Sequence, residues 1–78
     1  MPAELLAALA RRLVDHPDAV RVEAVERDDA VVLRLRVAPE DVGKVIGRQG
    51  RIARALRTVV RAAATRTRQR VLLEIVEE

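Results

Sequence analysis

The 78-residue chain carries a formal net charge of +3, is 35% charged and 50% apolar, and has neither cysteine nor any aromatic residue. At this length a single domain over residues 1–78 is expected, and its core yields only a few kcal/mol of net stability. The missing cysteines exclude disulfides and thiolate metal sites, and the missing aromatics count against the nucleic-acid-binding folds that stack bases on Phe, Tyr or Trp.

From Pro2 to Asp15, Leu6, Leu9 and Leu13 recur at helical spacing, with Leu5 and several alanines beside them, and predict an amphipathic helix. Glu4, Arg11, Arg12 and Asp15 break up any apolar run long enough for a signal peptide or a membrane span, so a cytoplasmic location is expected. Pro17 ends the helix, because proline disfavours helical geometry at His16 and has no N–H for the ladder. Val20, Val22 and Ala24 then alternate with Arg21, Glu23 and Val25, the period of a strand. Arg27-Asp28-Asp29-Ala30 reads as a hairpin turn, and Val31, Leu33, Leu35 and Val37 set the apolar face of a second strand, antiparallel to the first.

Ala38-Pro39-Glu40-Asp41 reads as a helix start, with proline and two carboxylates where the helix dipole favours them. A short helix to about Ile46 is interrupted by Gly47 and Gly50. A further helix, ending near Thr65, has a predicted core stripe of Ile52, Leu56, Val59 and Ala63. Its apolar arc extends to Ala53, Val60 and Ala64, a flank expected to pair with a second domain or to pack on the first helix. Arg66 to Gln69 is a polar connector, and Val71, Leu73 and Ile75 alternate with Leu72, Glu74 and Val76 in a last strand. The order helix, strand, strand, helix, helix, strand predicts an α+β fold. Three helices should cover one face of a three-stranded mixed sheet, with the last two strands parallel.

Charge is segregated along the chain. From Val42 to Leu73 there are nine basic residues and no acidic one, while the remainder holds twelve acids against six basics. Within the basic segment, glycine at Gly47 and Gly50 permits positive φ and lets a ligand approach the main chain. The amides of Arg48, Gln49, Gly50 and Arg51 should then face outward at a helix start, where an anion is favoured. Lys44, Arg48 and Arg51 would surround the site with positive charge. Arg54, Arg57 and Arg61 either extend the path of an anionic strand or simply solvate the helix.

The string Val45-Ile46-Gly47-Arg48-Gln49-Gly50-Arg51-Ile52 resembles the signature of the KH family, whose Gly-x-x-Gly loop clamps about four nucleotides of a single strand. The helix-strand-strand prelude is similar to that of the type II topology. Leu13-Val14-Asp15-His16-Pro17-Asp18-Ala19-Val20, Asp41 to Gly50 and Arg57-Thr58-Val59-Val60 bring the chain close to the small single-KH bacterial proteins of the KhpA family. That resemblance implies RNA binding by Gly43, Lys44, Ile46, Gly47, Arg48, Gln49, Gly50, Arg51, Ile52 and Arg54, with bases over Val42, Val45, Ile46 and Ile52. It also implies a chaperone-like role, a KhpB or Jag-like partner and a link to cell elongation and envelope growth, while a homodimer would use the Ala53, Val60 and Ala64 flank. The alternatives are single-stranded DNA binding and a subunit that uses the fold only for pairing. No cofactor, small-molecule substrate or metal is expected. His16 stands alone before a proline, no serine is present, and the carboxylate pairs suit turns and helix starts, so catalysis is not expected.

Overall fold

The computed structural model describes residues 2–77. Helix α1 runs Pro2–Leu13, strands β1 and β2 run Arg21–Arg27 and Ala30–Arg36, helices α2 and α3 run Val42–Ile46 and Arg51–Ala64, and strand β3 runs Arg70–Ile75. Asp28 turns the hairpin with a φ of 52°, in the left-handed region that tight two-residue connections require. The register pairs Arg21 with Arg36 and Arg27 with Ala30. β3 lies parallel to β2, from Ala30 opposite Arg70 to Leu35 opposite Ile75, and the sheet order is β1-β2-β3. Two of the three strands are therefore edges, and the outer edge of β3 runs beside α3.

One sheet face packs on the helices. Leu33, Leu35 and Val71 meet Leu6, Ala10, Val45, Leu56, Val60 and Ala64 in the core. The opposite face carries the row Val25, Val32, Leu72 and, next to it, Glu23, Arg34, Glu74. Arg34 bridges both glutamates there, at 3.5 Å to Glu23 and 2.9 Å to Glu74. Val32, which alternation places opposite the predicted Val31, Leu33, Leu35 and Val37 row, is nonetheless buried. It sits on the central strand, flanked by Val25 and Leu72, and long arginine stems can shield such a row.

The rotation of α3 differs from the expected stripe. Its buried residues are Ala53, Leu56, Val60 and Ala64, whereas Ile52 and Ala63 are half-buried and Val59 is 39% exposed. Ala53, Val60 and Ala64 are therefore not a free flank for a second domain, since Val60 is only 1% exposed within this single chain. The apolar residues that α3 leaves outside are Ala55, Val59 and Ala62. On α1 the buried positions are Leu6 and Ala10, and Leu13 is exposed, because the helix ends there and the chain turns away.

Candidate nucleic-acid interface

The turn between α2 and α3 is built by two glycines with different reasons to be glycine. Gly47 has φ 76° and ψ 172°, a region that only glycine occupies readily. A Cβ there would overlap the Ile52 side chain and lie 2.9 Å from the Ile52 nitrogen. Gly50 has φ 73° and ψ 15°, left-handed helical geometry, with open space where a Cβ would point. Gly47→Ala should therefore destabilise the fold by about 2–4 kcal/mol, and Gly50→Ala by only about 1 kcal/mol. Urea titration of the two variants checks the difference.

Gln49, between them, is itself left-handed at φ 58°. This winding settles where the amides go. The Gly47 amide donates to the Gly43 carbonyl at 2.9 Å and the Gly50 amide to the Gly47 carbonyl at 3.1 Å, while the Arg51 amide donates to the Arg48 carbonyl. Of the four amides expected to face outward, those of Gly50 and Arg51 are thus already engaged. Among the described residues, those of Arg48 and Gln49 have no partner. Both residues are exposed. Two free donors at the head of a fourteen-residue helix, beside the Arg48 and Arg51 side chains, form an anion-binding corner.

Lys44 is oriented differently from expectation. Its ammonium lies 3.1 Å from an Asp15 oxygen and 3.5 Å from Asp41, so it ties α2 back to the end of α1 and is not a free cation at the loop. Asp41 is the hub of that tie. Its side chain is fully buried, and its two oxygens accept the amides of Asp15 at 3.2 Å and His16 at 2.9 Å. The carboxylate that the sequence assigns to a helix start makes no capping bond at α2 and instead holds a turn 25 residues earlier. Burial pushes the Asp41 carboxyl up, but the two amides, the Lys44 ammonium and the His16 charge outweigh it and hold it below its ordinary value. Asp15 first, and then Asp41, hold Lys44 above its ordinary value against burial. His16 also faces Glu40, at 3.4 Å.

Beside the loop, a groove of about 540 Å³ runs between α3 and the edge of β3. Ile46, Gly50, Ala53, Arg57 and Leu72 to Ile75 line it, with Arg27, Val32 and Glu77 at its margins. Of the four apolar residues expected beneath the bases, Ile46 alone lines this groove. Val45 is buried in the core, Ile52 packs against Gly47 and the core, and Val42 lines a separate hollow with Arg36, Val37, Pro39 and Val76. Ala53 and Leu72 replace them. No local pattern marks either residue, because only the sheet order makes β3 the strand that faces the loop. Gly43 and Arg54 are exposed on α2 and α3, and a Cβ at Gly43 would meet open space. Among the described residues, no group of three acidic, histidine or cysteine side chains is placed to hold a metal ion, and no helix is long and apolar enough to cross a membrane.

Three helices on one face of a mixed β1-β2-β3 sheet, with a Gly-x-x-Gly turn between the last two helices, define a type II KH domain. The chain belongs to the family described as "KhpA/KhpB, KH domain", which it matches over residues 3–75. It is 52% identical over 73 residues to the RNA-binding protein KhpA of Caldanaerobacter subterraneus subsp. tengcongensis, covering 94% of this chain and 97% of that protein. The KhpA protein of Clostridium acetobutylicum is 53% identical with the same coverage, and that of Aquifex aeolicus 50% identical over 95% of this chain and 94% of its own. A crystal structure of Aquifex aeolicus Era Y63A bound to GDP·AlF4− superposes with a TM-score of 0.66 at 19% identity. That match covers 99% of this chain but 31% of Era, and it bears on the fold alone.

Proposed function

We propose that this protein binds single-stranded RNA, gripping the sugar-phosphate backbone at Gly47-Arg48-Gln49-Gly50 and laying the bases in the groove between α3 and β3. The observation that carries this reading is the pair of unpartnered amides at Arg48 and Gln49, exposed at a helix start and open to the basic side of the fold. Gly43, Gly47 and Gly50 keep the approach free of side chains. Arg48, Arg51 and Arg54 supply charge, and Ile46, Ala53 and Leu72 supply apolar contact. Ile52 acts from beneath, packing under Gly47, and Lys44 acts by fixing α2.

With no aromatic side chain to stack on, affinity is modest and base preference loose. If three to five phosphates are neutralised, log affinity falls against log salt with a slope of roughly −2 to −3.5. Fluorescence anisotropy with a labelled oligouridylate between 50 and 300 mM salt tests this, and a flat dependence would remove the phosphate clamp. Equal affinity for the matching deoxyoligonucleotide would show that the clamp ignores the 2′-hydroxyl.

On the family resemblance the reading extends to a chaperone-like, non-enzymatic role in the cytoplasm, a KhpB or Jag-like partner, and a part in cell elongation and envelope growth. A homodimer belongs to the same reading. Pairing through α3 would use Ala55, Val59 and Ala62, the apolar residues left outside the core.

A further inference from the structure

The groove beside the Gly-x-x-Gly turn does not stop at Arg57. A second hollow of about 240 Å³, lined by Arg61, Ala64, Thr65, Arg70, Val71 and Leu72 among others, continues it toward the C-terminal end of α3. The two meet at Leu72, which lines both. Because α3 and β3 run side by side in opposite senses, Gly50 and Ala53 stand near Ile75 at one end, and Arg61 stands near Arg70 at the other.

The arginines along this path are uncommitted, and the one carboxylate in the groove wall, Glu74, is taken up by Arg34, with Glu77 at the far margin. Among the described residues, Arg57, Arg61 and Arg70 have no ion-pair or hydrogen-bond partner, whereas Lys44 and Arg34 are each held by two carboxylates. Favourable interaction with the helix dipole accounts for Arg61 in the last turn of α3. It does not account for Arg57, one turn earlier, or for Arg70 across the hollow on a strand.

Resting on the RNA-binding reading above, we infer that Arg57, Arg61 and Arg70 form a second phosphate-binding subsite, which takes the same RNA strand after it leaves the Gly-x-x-Gly loop. Gly50 to Arg61 is eleven helical steps, about 16 Å. A strand advances about 3.4 Å per nucleotide when stacked and further when extended, so this length adds roughly three to five nucleotides to the four of the loop, a footprint of about seven to nine.

The test is anisotropy on four- and ten-nucleotide oligouridylates with the parent chain and two double variants. Arg61→Gln with Arg70→Gln keeps the stems and removes the charges from two exposed positions. It should weaken ten-nucleotide binding roughly tenfold, make its salt slope shallower by about 1.4, and leave four-nucleotide binding unchanged. Comparing proteins on one oligonucleotide cancels the statistical advantage of the longer strand. If this variant binds the ten-nucleotide strand as the parent does, the second subsite is overturned, and loss of binding by Arg48→Asp with Gln49→Asp would show that the loop reading survives. If that loop variant keeps its affinity, the RNA-binding reading fails first.

Discussion

Replacing Arg48 and Gln49 with aspartate should lower RNA affinity at least about a hundredfold while the melting temperature stays within a few degrees of the parent. The two effects separate for physical reasons. Aspartate tolerates the left-handed conformation that Gln49 holds at φ 58°, and a carboxylate in the turn before α3 interacts favourably with the helix dipole. Neither side chain takes part in a hydrogen bond or ion pair among the described residues, so the fold loses no contact of that kind. What changes is the corner itself. Two carboxylates would stand where the free amides now await a phosphate, adding repulsion to the loss of the Arg48 charge. Anisotropy, with circular dichroism on the same samples, reads both quantities; unchanged binding would shift the function to pairing with another chain.

The second large effect is on stability. Asp41→Ala strands the amides of Asp15 and His16 and leaves Lys44 with Asp15 alone, and should lower the melting temperature by roughly 10 °C. Asp41→Asn keeps an acceptor and should lose less. The pH dependence has a definite sign. A carboxyl held below its ordinary value of 3.8 in the folded chain stabilises fully above that value, and the contribution disappears as pH falls through the folded value. The Lys44 contribution runs the other way, present below 10.5 and lost as pH rises past its raised folded value. Melting curves of parent and Asp41→Asn should therefore lie furthest apart between about pH 5 and 9 and converge only as pH falls below 3.8 and through the lowered folded value. A constant gap across the acid range would mean that Asp41 contributes shape and not charge. Because Asp41 pins the start of the helix that carries Gly47, the alanine variant should also bind RNA more weakly at temperatures where it is still folded.

The features legible in the sequence are the local ones. Proline at Pro17 and Pro39, the period of two in both hairpin strands, and the glycine pair at Gly47 and Gly50 place every element to within a few residues. The loop stands out because its glycines, its arginines and the helix start after it coincide in one short segment. What escaped depends on contacts distant in sequence. The helix after Gly50 carries apolar residues over a broad arc, so periodicity alone allows more than one rotation. Packing against α1 and β3 decides for Ala53, Leu56, Val60 and Ala64 and turns Val59 outward. The groove floor escaped because periodicity does not give strand order, and only β3 as an edge brings Leu72 beside Ala53. Asp41 escaped because a carboxylate after a proline has an adequate local explanation, and its true partners lie 25 and 26 residues away.

The most direct measurement of the loop's role is a proton–nitrogen correlation titration of the labelled chain with a four-nucleotide oligouridylate. The largest shifts should fall on the backbone amides of Arg48 and Gln49, the two left without a partner by the turn, with smaller ones on Ala53 and Leu72 along the groove. If those two signals stay in place while shifts gather on β1, at the opposite edge of the sheet, the strand is held elsewhere and the loop does not grip it.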